Sequence, residues 1–131
     1  MAARAYVGVP FHPHGRTRAG LDCAGLVLAV ARDLGLALRD VPPFYAPLRS
    51  GFALLRQLRA QLVEVNFRRP PPGAVLAFAF GRAEHAAILV DAPARVVHAW
   101  RSAGRVVETE LDEATARRVV GAFVLEGVVR G

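Results

Sequence analysis

The chain has 131 residues, enough for one domain with its own hydrophobic core, and its 53% of hydrophobic against 21% of charged residues exclude an intrinsically disordered protein. All 17 basic residues are arginines and the net charge is +6, but the arginines are scattered and accompany no recognised nucleic-acid-binding motif, so we expect no nucleic-acid partner. The longest apolar runs, at 24–31 and 74–80, are too short to span a bilayer.

The N-terminal segment lacks the apolar core of a signal peptide, so we expect the chain to be made in the cytoplasm. Its single cysteine, Cys23, excludes an internal disulfide. Residues 2–7 favour a short helix that ends before Pro10, because proline restricts the residue ahead of it. Residues 11–20 combine glycine, proline and charge without apolar periodicity, which predicts an irregular loop.

The clearest predicted helix follows this loop. Asp22 is a favourable N-cap residue, apolar residues recur at helical spacing as far as Leu34, and Gly35 is placed as a C-terminal stop. Cys23 then lies in the first turn, where the helix dipole lowers the pKa of a thiol and free backbone N–H groups stabilise an oxyanion. The pattern indicates a nucleophile, although a lone cysteine is more often an inert buried residue.

Two further segments divide the chain. A proline-rich loop at 41–47 leads to a second predicted helix at about 52–65, which has leucines on one face. Residues 68–73 contain three consecutive prolines and predict a rigid boundary. We therefore expect a single domain, 1–131, with a helical half at about 1–67 and a sheet half at about 74–131.

After this boundary the apolar period becomes typical of strands. The predicted strands are 74–80, 85–90, 95–100, 105–109 and 119–126, with a short helix at 111–118 between the last two. Helices followed by hairpin-connected strands predict an α+β fold in which N-terminal helices pack on an antiparallel sheet.

Two histidines in the sheet half qualify as partners of the thiol. His85 begins one predicted strand, and a chain reversal brings His98 opposite or diagonal to it on the next strand. In this arrangement one ring nitrogen of His85 faces Cys23 and the other bonds His98, which holds the ring. The alternative is that both are partly buried histidines whose nitrogens bond to backbone.

A second pair, His12 and His14, raises the question of a metal site with Cys23 and His85. No spacing typical of zinc ligands accompanies them. We therefore expect no metal and no cofactor.

Three segments together resemble the NlpC family of cell-wall cysteine peptidases. They are GVPFHPHGRTRAGLDCAGLVLAVARDLGL at 8–36, HAAILVD at 85–91 and VVHA at 96–99. The resemblance implies a papain-like fold in which Cys23 is the nucleophile, His85 its base and His98 the residue that orients the base. It further implies cleavage of a stem-peptide bond between D-glutamate and diaminopimelate in peptidoglycan. Substrate contacts are expected from Phe11, His12, His14, Arg16 and Trp100.

The chain is most similar to the variant encoded among tail genes of phages and gene transfer agents. Features of that variant are a histidine, glycine and arginine ahead of the Asp-Cys pair, here at 14–16, and a tyrosine-proline segment, here at 44–47. This resemblance implies a protein carried at the tail tip without its own signal peptide. Its partners would be tail-tip or hub proteins, and it would act in the cell envelope.

One departure from the family pattern leaves alternatives open. Many relatives have tyrosine twelve residues before the cysteine, where this chain has Phe11, which lacks a hydroxyl for the oxyanion site. His12, His14 or a backbone N–H would have to replace that donor. The alternatives are a tail-hub structural protein with weak or no activity and an acyltransferase of the same general fold.

Overall fold

The first half of the chain begins with a small hairpin and a helix. The structure, a computed structural model, describes residues 2–40, 53–81, 83–91 and 93–125. A 3-10 helix spans Ala2–Tyr6, the strands β1 and β2 span Arg16–Thr17 and Gly20–Leu21, and helix α1 spans Cys23–Asp33. The predicted loop at 41–47 and the tyrosine-proline segment within it lie outside the described residues.

The second half supplies most of the sheet. Its elements in chain order are α2 (Ala53–Gln61), β3 (Val63–Val65), β4 (Val75–Phe80), β5 (Ala83–Asp91), β6 (Arg95–Trp100), a 3-10 helix (Arg101–Ala103), β7 (Arg105–Glu110), α3 (Glu113–Ala116) and β8 (Val119–Val124). Six strands form one sheet in the order β3-β8-β4-β5-β6-β7, and every neighbouring pair is antiparallel. The predicted α+β fold with an antiparallel sheet is confirmed.

The predicted helix at 52–65 is wrong at its end. The helix stops at Gln61, and Val63–Val65 form β3, which pairs with β8 through Val63 and Val124. Alternating β-branched residues suit a strand once a partner strand supplies the backbone hydrogen bonds. The sheet therefore takes one strand from the part of the chain that was predicted to be helical.

The predicted helix at 111–118 is also shorter in the structure. Only Glu113–Ala116 are helical, with Asp112 as the N-cap. The carbonyl of Arg118 accepts a hydrogen bond of 2.9 Å from the N–H of Ala79 in β4. The chain has therefore begun to pair with β4 before a second helical turn is complete.

Apolar side chains cover both faces of the sheet. The helix-side core contains α1 and α2 residues and the sheet residues beneath them, among them Leu26, Val27, Val30, Leu54, Leu58, Ala86, Ile88, Val97, Ala99 and Phe123. The far-side core comprises Leu76, Phe78, Ala87, Leu89, Val96 and Ala122. Each fully buried aliphatic side chain contributes about 1.5–3 kcal/mol. Because α1 packs on β5 and β6, this burial fixes the start of α1 against the sheet.

None of the described helices combines the length and apolar character that crossing a membrane requires.

Candidate active site

Asp22 holds the start of α1 in place. Its Oδ1 accepts hydrogen bonds of 2.7 Å from the N–H of Gly25 and from Arg16 Nη1. Its Oδ2 accepts a bond of 2.9 Å from the N–H of His14. One carboxylate thus satisfies a first-turn N–H of the helix and ties the preceding loop to it.

Gly25 lets the same loop lie against the first turn of α1. A Cβ at this position would be 2.1 Å from the carbonyl oxygen of Gly15 and 3.0 Å from Arg16 Nη1. Real Cβ atoms do not approach a backbone oxygen so closely. Glycine is therefore required two residues after the cysteine for a steric reason, because the loop backbone contacts the helix backbone there.

Cys23 is the first residue of α1 and is half-buried. Burial, followed by the negative charge of Asp22, raises the pKa of the thiol to about 11. The backbone N–H groups of Ala86 and Ala24 and the charge of Arg16 oppose this rise without cancelling it. The expectation of a lowered thiol pKa at the helix start is wrong, because desolvation of the sulfur outweighs the nearby positive groups.

His85 and His98 form a buried pair on β5 and β6, with exposed fractions of 8% and 4%. His85 Nε2 lies 2.8 Å from His98 Nδ1, so the hydrogen bond expected between the rings is present. Trp100 packs edge-on against the His85 ring with 4.9 Å between centroids. Burial, and then the neighbouring His98, lowers the pKa of His85 to about 3, and burial lowers the pKa of His98 to about 4.

Thr109 extends this pair and was not identified from the sequence. Its Oγ1 lies 3.1 Å from His98 Nε2. In the register of β6 and β7, Thr109 is the partner of Val96. Val96 is two residues from His98 along β6, so the side chains of Thr109 and His98 lie on the same face of the sheet. The signal was available in the sequence, because pairing of the strands 95–100 and 105–109 places a hydroxyl beside that face.

Removing the Thr109 hydroxyl should weaken the orientation of both rings. We expect Thr109→Val to lower kcat by about fivefold, and Thr109→Ser to restore most of it, because the loss of one hydrogen bond is worth about 1 kcal/mol. The measurement is the rate of peptide cleavage together with the ring-nitrogen NMR shifts of His98. Equal rates and shifts in the valine and serine variants would exclude this positioning role.

The thiol and His85 open onto one cavity of about 440 Å³, and His98, hydrogen-bonded to His85, is not among its described lining residues. Its lining residues are Phe11, Pro13, His14, Asp22, Cys23, Phe80, Ala83, Glu84, His85, Ala99, Trp100, Arg101 and Ser102. Cys23 packs against the helix-side core, whereas His85 contacts Phe78 of the far-side core. Cys23 and His85 both reach this cavity because His85 is the third residue of β5, close to the point where the strand begins. Within the described part of the chain no hydrogen bond joins Cys23 to His85.

The residues expected to contact substrate fall into two groups. Phe11, His14 and Trp100 line the cavity. His12 and Arg16 are not among the described lining residues. His12 Nδ1 lies 3.0 Å from the carbonyl oxygen of Pro13, and Arg16 pairs with Asp22 and, at 3.0 Å, with Asp40. Substrate contact by any of the five stays a prediction.

Glu84, next to His85, connects the cavity wall to α2. Its carboxylate accepts hydrogen bonds of 2.9 and 3.0 Å from the N–H groups of Leu54 and Leu55. A side chain from β5 thus caps the first turn of α2.

The described residues include no cluster of three or more histidine, cysteine, aspartate or glutamate side chains placed to share a metal ion. His12, His14, Cys23 and His85 therefore do not form the ligand group considered from the sequence.

The buried neutral histidines make stability depend on pH. A histidine whose pKa is lower in the folded than in the unfolded chain must give up a proton on folding, so stability falls as pH drops below about 6.5. Two such groups predict a loss of up to about 2.7 kcal/mol per pH unit between pH 6 and 5. The measurement is the free energy of unfolding in urea at each pH.

A variant isolates the contribution of one ring. His98→Asn should reduce this slope by about half, because one of the two protons is removed. Glu108, whose pKa Arg4 and Arg95 lower to about 2, loses its stabilising ionisation only below about pH 4.5 and does not interfere. An unchanged slope in His98→Asn would contradict the assignment.

Solved structures share this fold. A NlpC/P60 family protein from Bacillus cereus ATCC 10987 matches with a TM-score of 0.70 and 21% identity over 92% of this chain, which spans 37% of that protein. RipB, a peptidoglycan hydrolase from Mycobacterium tuberculosis, matches with a TM-score of 0.69 and 18% identity over 95% of this chain and 61% of its own. The NlpC/p60 domain of the peptidoglycan hydrolase SagA matches with a TM-score of 0.68 and 16% identity, over 93% of this chain and 92% of that domain.

No protein-family model and no curated protein sequence matches the chain. The structural matches confirm the expected papain-like, NlpC-type fold.

Proposed function

We propose that this protein is a peptidoglycan hydrolase that cleaves a stem-peptide bond by thiol catalysis. The observation that carries the proposal is the shared cavity, which brings a thiol at a helix start together with a buried His85–His98–Thr109 chain. The names of two structural neighbours, which are peptidoglycan hydrolases, support the substrate class.

The proposed proton positions are those that leave His85 a basic nitrogen for the thiol, because the contact between the two rings fits either tautomer. His85 Nε2 is taken by His98, which leaves Nδ1 of His85 to accept the thiol proton. The neutral His85 ring then carries its own proton on Nε2 and donates it to His98 Nδ1. His98 in turn carries its proton on Nε2 and donates to Thr109 Oγ1.

In the proposed reaction Cys23 Sγ attacks the peptide carbonyl carbon while its proton passes to His85 Nδ1. The backbone N–H of Cys23 stabilises the oxyanion, since Asp22 already occupies the N–H of Gly25. His85 returns the proton to the leaving amine, and water then hydrolyses the thioester. The raised thiol pKa and the lowered imidazole pKa favour a neutral resting pair, so the thiolate forms only during attack.

The bond between D-glutamate and diaminopimelate is the proposed site of cleavage. This part of the proposal rests on the resemblance of residues 8–36, 85–91 and 96–99 to NlpC peptidases. A cavity of about 440 Å³ is large enough for a few substrate residues.

We also propose that the protein is carried in the tail of a phage-like particle and meets tail-tip or hub proteins there. The support is the sequence likeness at 14–16 and 44–47 to tail-encoded variants. Mass spectrometry of purified particles should detect the chain in tail fractions. Its absence from them would exclude this location.

The test of the proposed function compares wild type with Cys23→Ala. Wild type should release fragments cut between D-glutamate and diaminopimelate from purified muropeptides, and Cys23→Ala should release none; mass spectrometry identifies the products. Identical product patterns would leave the tail-hub structural protein, which Phe11 favours because its ring lines the cavity without a hydroxyl. Transfer of the acyl group to an added amine without hydrolysis would identify an acyltransferase.

A further inference from the structure

Arg101 is an exposed residue on the wall of the cavity. It follows β6 and begins the 3-10 helix Arg101–Ala103, which ends at Gly104 with a φ of 74°. The carbonyl of Gly104 accepts a hydrogen bond of 2.8 Å from the N–H of Phe11. The guanidinium carbon of Arg101 lies 5.4 Å from the centroid of the Phe11 ring. This contact between a cation and an aromatic face holds the charge at the cavity.

The acidic side chains of the same cavity already have partners. Asp22 accepts from Gly25, His14 and Arg16. Glu84 accepts from two N–H groups of α2. Within the described residues Arg101 forms no ion pair with a carboxylate, and its contact is the Phe11 ring.

The other described arginines give a useful contrast. Five of them form ion pairs with carboxylates and are not among the described lining residues: Arg4, Arg16, Arg59, Arg95 and Arg117. Arg101 is the one arginine among the described lining residues. Its planar fork of N–H donors matches the two oxygens of a carboxylate.

We propose that Arg101 binds a carboxylate of the peptide substrate and so selects acidic peptides over their amidated forms. The inference rests on the proposed function. Two carboxylates next to the proposed scissile bond have this chemistry, the α-carboxylate of the γ-linked D-glutamate and the free carboxylate of diaminopimelate. Arg101 acts as a specificity-determining residue, because it contacts the substrate away from the reacting carbonyl.

Binding to the Cys23→Ala protein tests this without cleavage. The ligands are the tetrapeptide L-Ala-γ-D-Glu-diaminopimelate-D-Ala and two derivatives, one amidated at the D-glutamate α-carboxylate and one at the diaminopimelate carboxylate. Calorimetry at low salt should show about tenfold weaker binding for one amidated peptide, which identifies the carboxylate. Adding Arg101→Gln to Cys23→Ala should weaken binding of the acidic peptide by a similar factor and abolish the discrimination between acidic and amidated peptides.

Two further variants sharpen the result. Arg101→Lys should keep part of the discrimination, because it retains the charge but not the fork. Arg105→Gln, at an exposed arginine of β7 outside the cavity lining, should leave the discrimination unchanged. The proposal is overturned if none of the peptides binds, if all three bind equally, or if the discrimination survives Arg101→Gln.

The outcomes also separate this proposal from the proposed function. Discrimination that depends on Arg101, with no cleavage of the same peptide by the wild-type protein, would support the carboxylate site and exclude the hydrolase. Cleavage by wild type with binding indifferent to amidation would support the hydrolase and exclude the role of Arg101.

Discussion

Replacing His85 by alanine is expected to lower kcat for peptide cleavage by about 10²- to 10⁴-fold. The Cys23 thiol, whose pKa is raised to about 11, needs a base to remove its proton, and His85 is the imidazole that lines the cavity with it. The variant should lose activity without losing the fold, since α1 and its N-cap do not depend on the ring. Rates on a purified muropeptide, with unfolding curves of both proteins, measure the two effects.

His98→Ala provides the graded comparison. His98 acts through His85, across the hydrogen bond of 2.8 Å, so its removal should cost less, about tenfold to 10²-fold. If His85→Ala keeps more than a tenth of the wild-type rate, or if His98→Ala is the more damaging of the two, the assignment of the base is wrong.

Gly25→Ala should destabilise the protein by about 1–3 kcal/mol, the usual cost of forcing extra atoms into a packed site. Helix propensity alone would favour alanine by about 1 kcal/mol, so the sign of the effect depends on the contact with the loop. The new Cβ would be 2.1 Å from the Gly15 oxygen and 3.2 Å from Asp22 Oδ1. Relief of this clash must displace the N-cap, so cleavage should fall as well.

Gly35→Ala is the matched control at the other end of α1. No atom lies within 4 Å of its Cβ position, and its φ of +87° costs an alanine only the left-handed strain of about 1–2 kcal/mol. Cleavage should be unchanged in this variant. A Gly25→Ala protein as stable as wild type in urea unfolding would show that the loop moves away freely.

Local elements were largely predictable from the sequence. The expected strand at 95–100 coincides with β6, and Asp22 is the N-cap of α1 as its position indicated. Residues 63–65 were assigned to a helix because the leucine period of α2 runs up to them, and only pairing with β8 makes them a strand. Strand formation there depends on a partner more than fifty residues away, which local periodicity does not report.

The candidate site shows the same division. The residue types and their order predicted Cys23, His85 and His98. The structure brings Cys23 and His85 to one cavity and joins His98 to His85 by a hydrogen bond, while the catalytic roles of all three remain predictions. The contact between Thr109 and His98 and the pairing of Arg16 with Asp22 and Asp40 follow from how strands and loops meet.

By itself the sequence determined where α1 begins, which residue caps it, and which segments have the apolar period of strands. These features follow from propensities and contacts between near neighbours. Only the tertiary structure decided the direction in which the pKa values of the site shift. Desolvation of a thiol or an imidazole depends on everything packed around it, and here it raises the pKa of Cys23 and lowers that of His85, against the effect expected of a helix start.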